Sequence, residues 1–205
     1  SFMLAGSYAM AACSRHNEAI NNLINSGTNG NQDENNGNTE SKVNPFDFEK
    51  KTVMLNSGYE MPIIGIGTYL LSTAQAEESV YNALHSGMRL IDTADIYGNE
   101  RGVARGIQRA MTDFGIRRED IFVTSKLWTS SFNRADEEVD ERLERLELEY
   151  VDLLLLHHAA RDDEHAYQAM ERGVRAGKLH SIGISNFYED DVNRLMNIAT
   201  IPPAV

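Results

Sequence analysis

Val151-Asp152-Leu153-Leu154-Leu155-Leu156-His157 is the stretch on which the fold turns. Four consecutive leucines leave no polar alternation, so a strand made of them offers no face to water. Such a strand is covered on both sides, as in a parallel sheet crossed over by helices. Working outward, short apolar runs recur at residues 63–69, 90–92, 121–126 and 179–185. Helix-period stretches separate them. The first presents Ala76, Val80, Ala83 and Leu84 on one face, the second Val103, Ile107, Ala110, Met111 and Phe114. A third, over residues 133–146, presents Val139, Leu143 and Leu146, and its opposite side carries the pairs Glu138/Arg142 and Glu141/Arg145 four residues apart. A fourth holds Ala166, Ala169, Met170 and Val174, and a fifth Val192, Leu195 and Met196.

Strict alternation of strand and helix means an α/β fold. The polar residues that end four of the strands, Asp92, Lys126, His157 and Ser185, lie 34, 31 and 28 residues apart. Eight units of that size need about 250 residues, the usual extent of a parallel (β/α)8 barrel of the TIM type. From Asp47 onward 159 residues remain, enough for about five βα units. Ile201-Pro202-Pro203-Ala204-Val205 reads as the start of a sixth strand, so the chain is expected to stop inside the fold. A doubly wound nucleotide fold is the competitor, because Gly65-Ile66-Gly67 follows a strand signal. The third glycine of that fingerprint would fall at Leu70, and the match fails. The two glycines read instead as places of close approach. Ahead of them, residues 52–54 and 60–63 flank Asn56-Ser57-Gly58 and predict a small hairpin.

Composition narrows the function classes. With 41% hydrophobic and 24% charged residues the chain can bury a core. Nineteen basic against 31 acidic residues give a net charge of −12, which argues against nucleic acid and anionic lipid as partners. One cysteine, Cys13, excludes an internal disulfide and a paired-cysteine zinc site, and no metal is expected. No run approaches the roughly 18 apolar residues of a transmembrane segment. Residues 1–46 read as a signal-like segment followed by a flexible polar linker, and residues 47–205 as the partial barrel. Residues 27–41 contain no apolar side chain and cannot offset the entropy of ordering. Met10-Ala11-Ala12-Cys13 resembles a lipoprotein cleavage box. A cytoplasmic protein with a nonfunctional N-terminus is the leading reading, and an exported lipoprotein anchored at Cys13 is the alternative.

In a parallel barrel the carboxyl ends of all strands share one rim, so side chains about 30 residues apart in sequence converge there. Asp92, Lys126 and His157 become neighbours, and Tyr97, five residues past Asp92, reaches the same rim. A nearby ammonium favours the phenolate and would lower the phenol's ordinary pKa of about 10. Lys126 can supply that charge, with Asp92 holding it in place, while His157 orients a carbonyl oxygen. Four such groups suit the donation of a proton to an oxygen that gains negative charge, as a carbonyl does under hydride attack.

These blocks also carry a resemblance. Leu90-Ile91-Asp92-Thr93-Ala94-Asp95-Ile96-Tyr97-Gly98-Asn99-Glu100, then Thr124-Ser125-Lys126-Leu127-Trp128, then residues 151–157, then Gly183-Ile184-Ser185-Asn186-Phe187 resemble, in order and spacing, the signature blocks of the aldo-keto reductases. The resemblance extends over about residues 51–205. It implies a (β/α)8 barrel, usually monomeric, that reduces small aldehydes, ketones or sugar-derived diketones with NADPH. It implies that Tyr97 is the general acid, that Asp92 and Lys126 tune it, and that His157 positions the carbonyl. It further implies that Ser185, Asn186 and Asp92 meet the nicotinamide end of the cofactor, that Trp128, His157 and His158 line the substrate pocket, and that the hairpin caps the barrel's floor. Many members carry an aromatic residue and a proline after the catalytic histidine. Here His158-Ala159 stand in those places, so the pocket wall differs. The family's grip on the adenosine end comes from its last strands and helices, beyond Val205. A noncatalytic binding or regulatory protein on the same barrel is the alternative function.

Overall fold

A computed structural model describes residues 44–205; Cys13 and the polar stretch 27–41 lie outside the described residues. The chain divides between Pro45 and Phe46, and the unit from Phe46 to Val205 is considered by itself. It opens with a three-stranded antiparallel sheet: β1 (Phe46–Asp47), β2 (Thr52–Met54) and β3 (Glu60–Pro62). Met54 pairs with Glu60 and Thr52 with Pro62, which gives the hairpin expected around Asn56-Ser57-Gly58.

Five parallel strands follow, hydrogen-bonded side by side in sequence order: β4 (Gly65–Gly67), β5 (Leu90–Asp92), β6 (Phe122–Leu127), β7 (Val151–Leu156) and β8 (Leu179–Ile184). The crossovers are α1 (Thr73–His85), α2 (Glu100–Phe114), α3 (Ala135–Leu146) and α4 (Asp163–Arg175), and α5 (Glu189–Met196) follows β8. Sequential parallel order with a helix at each crossover is the arrangement of a TIM-type barrel, with five βα units present. Beyond α5 the chain returns to the sheet: the Ala204 amide donates to the Ile182 carbonyl and the Ile184 amide to the Val205 carbonyl.

Every residue of β6 and β7 is buried, as the run of four leucines requires. One apolar layer lies between the strands and the helices, with Val123, Leu127, Leu154 and Leu156 against Val103, Ile107, Val139 and Ala166. The other lies on the concave side, where Phe122, Leu153 and Leu155 meet Leu55, Val53 and Met61 of the hairpin. The hairpin therefore closes the amino ends of the strands. Ser57 Oγ lies 2.7 Å from Ser181 Oγ, and Asn56 Nδ2 donates to the Pro203 carbonyl at 2.9 Å. The carboxyl ends stay open for chemistry.

Two local expectations need correction. The first parallel strand covers residues 65–67, not 63–69. Ile63 donates its amide back to Lys51 of the hairpin, and Leu71 donates to the Thr68 carbonyl, so a turn begins at Thr68. Leu70 sits in the left-handed region at φ +63°. Close approach holds at Gly65, where a Cβ would lie 2.5 Å from the Leu90 carbonyl oxygen, but nothing lies within 4 Å of one at Gly67. The second correction concerns α3. Glu141/Arg145 is partly exposed as expected, whereas Glu138 and Arg142 are 2% and 1% exposed. Arg142 meets Glu100 at the start of α2, and Glu138 lies against Arg142 and Arg134. Among the described residues no helix is long and apolar enough to cross a membrane.

Candidate active site

The four groups expected at the rim do converge. Lys126, one residue before the end of β6, is 7% exposed, and a buried ammonium needs partners. Its Nζ donates to Asp92 Oδ1 at 2.7 Å, to the Thr93 carbonyl at 2.9 Å and to Tyr97 Oη at 3.4 Å. Tyr97 is carried by a 3-10 turn, Asp95–Tyr97, which Gly98 ends in the left-handed conformation at φ +66°. Its ring meets His157 edge-on at 5.9 Å between centroids and Tyr69 at 5.0 Å. His157 follows the last residue of β7, and its amide continues the ladder by donating to the Leu127 carbonyl. Trp128 stands perpendicular to both His157 (5.1 Å) and His158 (5.2 Å), which stack on each other at 5.5 Å. Asn186, at φ +57°, donates from Nδ2 to the His157 carbonyl at 2.8 Å and to Ser185 Oγ at 2.9 Å. The loops after β5, β6, β7 and β8 thus form one surface.

Its electrostatics differ from expectation in one respect. Burial first, and then the Asp92 charge, push the Tyr97 phenol up to about 12. The expected lowering by Lys126 does not occur. Lys126 spends its shortest contact on Asp92, so the phenol faces a matched pair rather than a lone cation. Burial, aided by the charges of Lys126 and His158, lowers His157 to about 4 and leaves its imidazole neutral. His157 Nδ1 is buried without a hydrogen-bond partner.

Several residues within the quoted blocks had no role in the sequence reading. Asn99 is 1% exposed and donates from Nδ2 to the carbonyls of Thr68 and Leu71 at 2.8 and 2.9 Å, which fixes the loop bearing Tyr69. Asp95 accepts from the Trp128 amide at 2.8 Å, and Glu100 from Ser125 Oγ at 2.9 Å. Their position flanking Tyr97 was the available signal, but no spacing rule says which buried polar group a carboxylate will meet.

Comparison with known proteins adds a family. Residues 63–205 match the family described as Aldo/keto reductase family. The chain is 38% identical to the NAD(P)H-dependent D-xylose reductase I,II of Candida tropicalis, over 75% of this chain and 56% of that protein. It is 39% identical to the glyoxal reductase of Bacillus subtilis, over 76% of this chain and 56% of the relative. Among solved structures, an aldo/keto reductase from Brucella melitensis superposes with a TM-score of 0.70 at 38% identity, covering 75% of this chain and 60% of that one. A Bombyx mori aldo-keto reductase in complex with NADP superposes at 0.69 and 32% identity, covering 75% and 56%. The chain thus spans between half and two thirds of the length of these relatives, and within that span it belongs to the aldo/keto reductase family.

Proposed function

We propose that this chain carries the carbonyl-activating half of an NADPH-dependent reductase of small aldehydes, ketones and sugar-derived dicarbonyls. The observation that carries the reading is the Asp92–Lys126–Tyr97 chain of contacts at 2.7 and 3.4 Å, with a neutral His157 beside the phenol. A phenol with its pKa raised keeps its proton at neutral pH and releases it only to a stronger base, which an alkoxide is. Tyr97 is then the general acid. The Lys126 ammonium offsets the phenolate that remains, and Asp92 keeps that ammonium aimed. His157 contributes as a neutral donor. With Nδ1 buried and unpartnered, the arrangement favours the proton on Nε2, because an unsatisfied acceptor is tolerated better than an unsatisfied N–H. Trp128, His157 and His158 form the wall against which a small substrate rests, and the two imidazoles favour oxygen-bearing substrates.

The nicotinamide cofactor, when bound, supplies the hydride. Asn186 has committed its Nδ2 to His157 and Ser185, which leaves its Oδ1 free to accept from a carboxamide NH2. The Ser185 hydroxyl can donate to the carboxamide oxygen, and the family resemblance adds Asp92 to the groups that meet this end of the cofactor. These donors fit a nicotinamide. NADPH as the phosphate form is supported by the NADP bound to the Bombyx mori relative, and a small carbonyl substrate by the glyoxal and D-xylose reductases. The test is NADPH oxidation with glyoxal and D-xylose, run on the 205-residue chain and on a form extended to the length of the relatives. Turnover of either substrate by the extended form is expected; its absence with both cofactors NADPH and NADH would remove the reading.

A further inference from the structure

We infer that Arg142 is a positioning residue that sets the Tyr97–Lys126 contact from below, through two buried carboxylates. Asp95 and Glu100 stand on either side of Tyr97 in sequence, and Ser125 and Trp128 stand on either side of Lys126. The two pairs are joined crosswise. Asp95 accepts from the Trp128 amide at 2.8 Å and from the Ile96 amide at 2.5 Å, while Glu100 accepts from Ser125 Oγ at 2.9 Å. The turn bearing the phenol is thereby tied at two points to the strand bearing the ammonium.

Both ties depend on carboxylates that burial pushes toward the neutral form, and Arg142 is a charge that opposes this at each. Arg142, 1% exposed on α3, brings Nη1 to 2.9 Å from Glu100 Oε2 and 4.0 Å from Asp95 Oδ2. Glu138 Oε2 accepts from Nη2 at 3.2 Å, and Glu141 lies 4.0 Å away. Arg134 pairs with Glu138 from the solvent side. Arg142 Nε and Nη1 make no aligned hydrogen bond, so its contribution is charge at the meeting point of the two ties. Stability alone is a poor reason to keep such a cluster, since apolar replacements of buried ion networks are often neutral or better. A fixed geometry at the reacting groups is a reason.

The catalytic consequence rests on the function proposed above, but the ties can be read without turnover. Trp128 is the only tryptophan of the chain. Its emission reports one end of the ties, and the ring 13C shift of Tyr97, assigned with Tyr97→Phe, reports the other. Arg142→Met in the 205-residue chain is expected to red-shift Trp128 emission, raise its quenching by acrylamide and move the Tyr97 shift, at a temperature where melting shows the fold intact. Arg142→Lys is expected to restore both signals toward the parent. A folded Arg142→Met variant with both signals unchanged would overturn the inference. If Arg142→Met does not fold, Asp95→Ala and Ser125→Ala, which each remove one tie and keep Arg142, decide it: movement of either reporter supports the inference, and two variants superimposable on the parent overturn it. Loss of turnover with neither reporter moved would count against the inference, whereas moved reporters in a protein that never reduces a carbonyl would count against the proposed function alone.

Discussion

Lys126 is the residue around which the site is arranged. Its three contacts leave the ammonium fully partnered, and the shortest joins it to Asp92. Removing either member leaves the other uncompensated in a partly dry place, so the two should behave as one unit. Lys126→Met and Asp92→Asn are each expected to depress carbonyl reduction, and the double variant to lose far less than the product of the two single losses. Strict additivity in that cycle would mean that the pair does not act together. His157 gives a pH signature. Its folded-state pKa of about 4 lies below the ordinary 6.5, so the stability it contributes is present above pH 6.5 and is lost as pH falls through about 4. His157→Gln should flatten the fall in melting temperature between those limits; an unchanged slope would show that the imidazole is not the group responsible. Asp92, Lys126 and His157 were legible in the sequence because strand ends 34 and 31 residues apart must converge, and Tyr97 because it lies five residues past Asp92 in the loop that follows. The direction of the Tyr97 shift was not. It is set first by the burial of the ring and then by the Asp92 charge, neither of which the spacing encodes.

Between elements, the order β4 to β8 and the five helices followed from alternation, and β7 came out as residues 151–156 because four leucines admit little else. The first strand is shorter than its apolar pattern predicts. Apolar residues at 63, 64 and 69 look like strand, yet Ile64 and Tyr69 are exposed and belong to the hairpin exit and the rim loop. Asn99 holds that loop. It ties the residue just before α2 to two carbonyls of the loop after β4, bracketing Leu70 in its left-handed conformation. Asn99→Ala would leave the Leu71 carbonyl without its donor and the Thr68 carbonyl with the Leu71 amide alone, and the cost is about 1–3 kcal/mol. Urea unfolding should show that loss without a change of slope. A loss below about 0.5 kcal/mol would place the variant among ordinary surface changes and mean that the loop is held by other contacts. The inward Glu138/Arg142 pair was likewise hidden from the sequence. Charges four residues apart on a helix read as a solvated face until the facing helix is known to present Glu100.

Across the whole unit, the hairpin seals one end of the strands and the polar residues gather at the other. This polarity suits a barrel enzyme, whose stabilising contacts lie at the floor and whose chemistry lies at the carboxyl rim. The five βα units already bring together Asp92, Tyr97, Lys126 and His157, and the proposed function rests above all on Tyr97 as the acid. Its most direct test is Tyr97→Phe in the form extended to the length of the relatives. The ring and its packing against Tyr69 and His157 are kept, and only the proton is removed. Steady-state reduction of glyoxal is measured beside a fluorescence titration with NADPH. Reduction is expected to fall by about 10² to 10⁴, the worth of a positioned general acid, with cofactor affinity nearly unchanged. Activity within tenfold of the parent, at equal cofactor affinity, would contradict the assignment of Tyr97 as the proton donor.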